Sequence, residues 1–472
     1  MNHKRIALVR YTPDYFWGFG QTLKQAGFEV YWINSLRSDA QYLLDRDVSP
    51  EHVLDTTGFD PSDYDLAECR RRLAKLETGD GPRIHDIILM DRLLRNKSQD
   101  FAIKYLGHLE QSVSTYLTVN HITMVSSGRD TALQLLTMLV CRHLNIPWVV
   151  PTRARVPQEL YGFCQRHDTK ELIRLREVTS EDRAWAVDFL GSFETKALKP
   201  ALKKSVRGFS DVMRLLPVHA RAFSYELKKS LTDRGNDYAR YTIPNLIRMY
   251  LRRRINLVGY TLSPPYAAPG NTPFCLYALH TQPESSIDVV GSYFSDQIAL
   301  ITFIARSLPI SHELYVKVHP SDVDGKAASF YRRIVKIPGV RLIGHDVDSR
   351  DLLQRASLMF ALSGTIAYEA GLMGKPVVVF ARNYFNKLPT LHFCDAPPKL
   401  PLLIGSLLDT APPQDSREKV VDFLSELRAS CFDGELNRTY GASTSPLSPR
   451  DLSTLHQAYN SLHCLLVEGS GD

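Results

Sequence analysis

Between residues 274 and 380 short apolar runs alternate with stretches of helical spacing, a rhythm that few folds accept. Phe274–His280, Leu314–Val318, Val340–Ile343, Leu358–Leu362 and Pro376–Phe380 have strand length. Between them Asp296–Ser307, Ala327–Lys336, Ser349–Arg355 and Ile366–Met373 read as helices. Continuous apolar strands separated by helices predict a parallel sheet covered on both faces. Ligands of such sheets bind in the crevice beyond the carboxyl ends of the strands. There the sequence places His280-Thr281-Gln282-Pro283-Glu284, Lys317-Val318-His319-Pro320 and Ser363-Gly364-Thr365. Three strand ends carry polar groups toward one crevice, and the active site is expected in it.

The chemistry of these residues points to phosphate. A histidine at the end of a strand donates hydrogen bonds to phosphate oxygens, and Lys317 would raise the local positive potential; a structural role for His319 is the alternative. Ser363, Gly364 and Thr365 open a helix, where hydroxyls, free N–H groups and the helix dipole form an anion cradle. Glu369, one turn on, can accept hydrogen bonds from ribose hydroxyls. Asp322-Val323-Asp324 and Asp346-Val347-Asp348 have the DxD spacing of some metal sites, but both follow strands as polar loops, and no metal is assigned.

The amino-terminal half is less regular. Ile6–Val9 and Val30–Ile33 read as strands around a loop, Tyr15–Gly20, and a helix, Gln21–Ala26. The aromatic loop is either an acceptor-binding wall or packing. Ile84–Leu89 reads as a strand, Ser98–Leu117 as an amphipathic helix, and His121–Val125 as a strand ending in Ser126-Ser127-Gly128-Arg129-Asp130. Asp130 is either the cap of the helix Thr131–Leu144 or a catalytic carboxylate. Arg153 and Arg155, expected just past the strand Pro147–Val150, could meet phosphate or a sugar carboxylate. Residues 389–401 read as irregular, and helices are expected at Leu402–Leu408, Ser416–Ser430 and Asp451–Glu468.

At 472 residues the chain is too long for one core. The expected division is an acceptor domain at 1–185, a basic helical segment and linker at 186–262, a nucleotide-sugar domain at 263–435 and a helical tail at 436–472. Net charge is +6, but residues 196–254 hold 15 Lys and Arg against 4 Asp and Glu. That block suits an anionic membrane surface, with a solvated helical face as the alternative. Nucleic acid is not expected as a partner, because no binding module is recognised. Seven scattered cysteines without metal spacing, and no room for a signal peptide before Ile6, give a cytoplasmic expectation, peripheral at the inner membrane face.

The residues quoted from His280 to Phe380, with Ser363-Gly364-Thr365-Ile366-Ala367-Tyr368-Glu369-Ala370-Gly371 at their centre, resemble the nucleotide-binding half of bacterial capsule polysaccharide biosynthesis proteins. These are GT-B glycosyltransferases related to β-Kdo and CMP-sialic acid transferases. The resemblance implies an α/β fold of the GT-B class: two Rossmann-like parallel-sheet domains facing a central cleft, here with a helical basic insertion. It implies a nucleotide-sugar-dependent transferase, a CMP-activated acidic sugar such as Kdo as favoured donor, and a glycan or lipid-linked acceptor. No cofactor beyond the donor is implied. His280, Gln282, Lys317, His319, Ser363, Gly364, Thr365 and Glu369 would bind the donor. The related enzymes carry an acidic-acidic-glycine motif in their first domain; Thr152-Arg153-Ala154-Arg155 stands here instead. The catalytic carboxylate is then expected from Asp130 or Glu284, acting with His319, or else the donor is not a CMP-activated ulosonate. Rival readings are a CDP-glycerol-type glycerophosphotransferase and a non-catalytic GT-B-like assembly subunit.

Overall fold

Parallel strands cannot be joined by tight turns, so their crossovers must be long, and most of this chain's crossovers are helical. The computed structural model describes residues 4–10, 13–79, 81–195, 223–224, 226–228, 230–231, 241–262, 266–409, 415–434 and 449–468. It divides into two units. One takes residues 1–179, 232–241 and 426–472, the other 180–231 and 242–425.

The first unit begins β1 (Arg5–Val9), α1 (Pro13–Gln25), β2 (Glu29–Asn34), α2 (Arg37–Leu44), β3 (Val53–Asp55), α3 (Leu66–Leu76), α4 (Ile84–Met90) and α5 (Gln99–Val119). It continues β4 (Met124–Ser127), α6 (Ala132–His143), β5 (Trp148–Arg153) and β6 (Leu160–Cys164). In the second unit α7 (Ser180–Thr195) and α8 (Ile243–Leu262) precede β7 (Phe274–Ala278), α9 (Ser285–Asp288), α10 (Gln297–Ser307), β8 (Glu313–Lys317), α11 (Ala328–Ile334) and β9 (Val340–Ile343). Then come α12 (Ser349–Arg355), β10 (Leu358–Ala361), α13 (Thr365–Leu372), β11 (Val377–Val379), β12 (Leu391–Phe393), α14 (Leu400–Asp409) and α15 (Ser416–Ala429). The chain closes with β13 (Cys431–Asp433) and α16 (Pro449–His463).

The second unit's sheet has the order β12-β11-β10-β7-β8-β9 and is parallel throughout. All residues of β7 and β10 are buried, the burial on both faces that their unbroken apolar runs predict. Four helices lie where spacing placed them. The sixth strand, β12, falls in 389–401, which reads as irregular because three residues carry too short a pattern.

The first sheet has the order β13-β6-β5-β4-β1-β2-β3. Strands β1 to β5 are parallel, while β6 pairs antiparallel with β5 and β13 antiparallel with β6. The end of the chain thus returns to the first unit, so it is neither part of a 263–435 domain nor a separate tail. Leu455, Ala458, Tyr459 and Leu462 of α16 are buried in the first unit's core, and Tyr459 packs against Phe19 and Phe163 at ring-centroid distances of 5.3 and 5.1 Å. Each large side chain buried there contributes about 1.5–3 kcal/mol.

Two local expectations are corrected. Residues 15–20 lie inside α1, which starts at Pro13, a residue that suits the first helical turn. Phe19 and Leu23, four apart, are buried, and Phe16 and Trp17 pack against the same core, so these three aromatics are packing and not an exposed wall. Residues 84–90 form α4, not a strand. Ile84, Ile87 and Met90 are buried at helical spacing, and the Asp86 carboxylate accepts the Arg83 N–H at 3.0 Å across the first turn.

Candidate functional site

In the second sheet the chain runs outward from β7 through β8 to β9, then restarts at β10 on the other side of β7. The carboxyl ends of β7 and β10 therefore flank a topological switch point, where open α/β sheets bind ligands. His280 follows β7 and Leu362 follows β10, and His280 Nε2 accepts the Leu362 N–H at 3.0 Å. Accepting at Nε2 assigns the ring proton to Nδ1. Gln297, on α10, clamps the His280 backbone: Oε1 accepts its N–H at 2.8 Å and Nε2 donates to its carbonyl at 2.9 Å.

Ser363-Gly364-Thr365 forms the turn on the other bank. Gly364 sits at φ 122°, ψ 164°, a conformation essentially restricted to glycine, and as the N-cap of α13 it has no side chain to bond the helix's first N–H groups. A Cβ on Gly364 would lie 3.5 Å from His280 Cε1, so turn and imidazole are neighbours. Ser363 is buried, and its Oγ accepts from Asn383 Nδ2 at 3.1 Å, leaving the hydroxyl proton to be given elsewhere. A helix start with a glycine N-cap at a switch point has the makings of an anion site. Glu369 is half-buried on α13, and burial pushes its carboxyl up to about 7, opposed by Arg350.

His319, after β8, is exposed at its surface, yet the protein around it holds its imidazole below the usual histidine range. Desolvation is the main cause; Glu284 opposes it and Lys317 adds to it. An exposed ring that is nonetheless desolvated belongs on the wall of a concavity. His319 and Glu284 share that electrostatic neighbourhood, and both stand at ends of adjacent strands, β8 and β7.

Two expected donor-binding side chains are committed elsewhere. Lys317 is 3% exposed, and its Nζ donates to the carbonyls of Gly344 at 3.3 Å and His345 at 3.1 Å, in the turn after β9. Burial lowers its pKa to about 8, against the pull of Asp346 and Asp348. Gln282 donates from Nε2 to Asp288 Oδ1 and the Ser295 carbonyl, both at 3.0 Å, and accepts at Oε1 from Gln297 at 2.7 Å. Both residues shape loops around the site. Gln297 and Asn383, which hold His280 and Ser363, are the positioning residues that motif reading missed.

The first unit's matching turn, after β4, is built differently. Thr131, not Asp130, is the N-cap of α6: its Oγ1 accepts the Gln134 N–H at 3.4 Å. Asp91 Oδ2 accepts the Ala132 N–H at 2.9 Å, so this first turn is already occupied by protein acceptors. Asp130 is exposed, its own N–H donating to Gln134 Oε1 at 3.0 Å. Arg153 belongs to β5 and does not lie past it; its Nε donates to the Gln158 carbonyl at 2.5 Å. Arg155 is half-buried with φ 66°.

The DxD carboxylates also have local employment. Asp348 Oδ1 caps α12, accepting from the N–H groups of Arg350 and Asp351 at 2.7 and 3.2 Å. Asp322 lies 3.8 Å from Lys326 Nζ. Among the described residues no group of three or more His, Cys, Asp or Glu could hold a metal.

Of the basic block, residues 241–254 fall in or beside α8, while most of 196–240 lies outside the described residues. Leu246, Leu257 and Tyr260 bury one face of α8. The other carries Ile247, Leu251, Ile255, Val258 and Leu262, exposed by 41–83%. Arg248, Arg252 and Arg253 are exposed beside this stripe. No described helix is long and apolar enough to cross a membrane.

Residues 214–388 match the family model of capsule polysaccharide biosynthesis proteins, so the resemblance carried by the motifs is shown over that stretch. A 98-residue segment, 21% of the chain, is 29% identical to the capsule polysaccharide modification protein LipA of Neisseria meningitidis serogroup A; it spans 13% of that relative's length. Among solved structures, the β-Kdo 2,4 transferase of Thermosulfurimonas dismutans KpsC is 12% identical with a TM-score of 0.32, covering 66% of this chain and 79% of that one. The UDP-GlcNAc 2-epimerase of N. meningitidis, bound to UDP-GlcNAc, is 12% identical with a TM-score of 0.31, covering 90% and 97%.

Proposed function

We propose that this chain is a nucleotide-sugar-dependent glycosyltransferase of the GT-B class, acting in the assembly of a surface polysaccharide. The second unit binds the donor, with a CMP-activated acidic sugar favoured, and the first serves the glycan or lipid-linked acceptor. One observation carries the reading: the Ser363-Gly364-Thr365 turn, with glycine at the N-cap, lies beside His280 at the β7/β10 switch point.

In this reading the phosphates sit over the start of α13, held by backbone N–H groups, the Ser363 and Thr365 hydroxyls and the ring of His280. Glu369 accepts from a ribose hydroxyl. His319, neutral before the donor arrives because its surroundings disfavour the cation, donates a ring N–H hydrogen bond to the phosphate as the bond to the sugar breaks and negative charge develops on it. A carboxylate, Asp130 or Glu284, takes the proton of the acceptor hydroxyl as that oxygen bonds to the sugar carbon leaving the phosphate. The exposed apolar stripe of α8 and its flanking arginines rest on an anionic membrane surface, keeping the enzyme beside a lipid-linked acceptor.

Titration calorimetry with CMP, CDP and UDP tests the donor site. His319→Ala and Thr365→Val should each weaken whichever nucleotide binds the wild type by roughly tenfold to a hundredfold, the equivalent of a lost hydrogen bond to a charged group. Their melting temperatures should stay near the wild-type value. Unchanged affinity in both variants would remove this crevice from the mechanism. Turnover of a nucleotide-sugar panel then separates a transferase from a glycerophosphotransferase or a binding subunit.

A further inference from the structure

The first unit contains a cavity of about 360 Å³ lined by Gly79, Gly81, Arg142, Trp148, His167 and Asp168, among others. Trp148 opens β5, and Met138 and Arg142, which also line it, lie in the second half of α6. The cavity therefore sits toward the amino-terminal ends of β4 and β5, at the opposite end of the sheet from the Asp130 turn. Nothing in the proposed transfer uses it.

We propose that this cavity binds the anionic group of a small phosphorylated or carboxylated sugar. Polar groups with nothing to bond are the first reason. Among the described residues neither ring nitrogen of His167, which is 4% exposed, has a hydrogen-bond partner, and the Nε1–H of Trp148, also 4% exposed, is likewise unpaired. Leaving such groups buried and unpaired destabilises the empty fold, and a ligand bonding to them would recover that cost.

Charge supplies the second reason. Arg142 is exposed at the cavity and has no ion-pair partner among the described residues. Gly79, at φ 63°, and Gly81 lack the side chains that would strike its guanidinium. Among the described residues the one lining carboxylate, Asp168, is paired with Arg166, whose Nε and Nη2 donate to it at 3.0 and 2.7 Å. Behind the wall lie more cations: Lys170, 1% exposed, and Arg129, whose Nη1 is buried and unpaired, both act on His167. A basic wall with free donors selects an anion. Size selects a small one, because about 360 Å³ lies at the lower end of the roughly 300–1,000 Å³ of small-molecule sites. Met138, Ile146, Pro147 and the Trp148 ring give the remaining apolar lining that one sugar face can cover.

Calorimetry on the full chain with glucose 6-phosphate, glucuronate and glucose tests the proposal. At least one of the two anions should bind, and glucose should not; which anion binds tighter tells phosphate from carboxylate recognition. Arg142→Ala should weaken that binding at least tenfold without changing the melting temperature, since Arg142 is exposed. His167→Phe should do the same if it folds, and Arg142→Ala decides alone if it does not. Thr365→Val, in the other unit, should leave it unchanged. The proposal is overturned if neither anion binds at millimolar concentration, if glucose binds equally well, or if Thr365→Val abolishes binding that Arg142→Ala leaves intact.

Discussion

Glu369 shows how one side chain can be a liability to the empty fold and an asset to a ligand. Its carboxyl is pushed from the usual 4.5 up to about 7 by burial. The native state then holds the proton over a window where the unfolded chain has released it. Stability is therefore fully present below pH 4.5 and is lost as pH rises through about 7. The shift corresponds to about 3 kcal/mol, reduced by the solvent that reaches a half-buried group. Glu369→Gln should raise the melting temperature at pH 8 and have little effect at pH 5; an equal change at both values would show that titration is not the cause. Asp130 makes a different demand. The cap of α6 belongs to Thr131 and the Ala132 N–H to Asp91, so Asp130→Asn and Asp130→Ser should melt like wild type. If Asp130 serves the acceptor, both variants should lose about a hundredfold or more of turnover. Wild-type turnover in both would move the role to Glu284. Residue types pointed to this site, but partners did not follow from type. Lys317 and Gln282 look like donor ligands in a motif, and only the folded loops after β9 and β7 take up their polar atoms. Gln297 and Asn383 were illegible because they lie 17 and 20 residues from the groups they hold.

At the scale of elements, legibility followed burial. Strands buried on both faces leave unbroken apolar runs, so β7, β8, β10 and β11 could be read directly from sequence. Short edge strands do not: β12 and β13 have three residues each, and pairing with a neighbour already in place defines them. The α4 segment misled because Ile-Ile-Leu-Met is equally a strand run until the buried spacing of Ile84, Ile87 and Met90 is seen. For α8, basic and apolar residues were visible together, but which face lay inward was not. With Ile247, Leu251 and Ile255 outward, the helix suits an interface with lipid. Binding to liposomes should rise with anionic lipid content and fall with added salt. Arg248→Glu with Arg252→Glu should reduce it by about 1 kcal/mol or more per charge, and Ile255→Asp should reduce it at any salt concentration. Binding indifferent to lipid charge would leave α8 as a solvated face.

For the whole molecule, a length of 472 residues called for more than one core, and two mostly parallel sheets supply them. What the order of residues could not reveal is that the chain's end re-enters the first unit through β13 and α16. That closure depends on pairing residues 431–433 with 160–162, a contact between segments with no shared local pattern. The two sheets each place a strand-to-helix turn at a switch point, but they finish those turns oppositely. The first fills its helix start with Asp91 and Thr131, whereas the second has a glycine, Gly364, at the N-cap beside His280. Donor binding by the second unit is the claim on which the functional reading stands. A crystal structure of the full chain with its tightest-binding nucleotide among CMP, CDP and UDP tests it most directly. The phosphate should lie over the first turn of α13, within hydrogen-bond distance of Thr365 and the His280 ring, with the ribose toward Glu369. A nucleotide bound anywhere else, with the 363–365 turn empty, would contradict it.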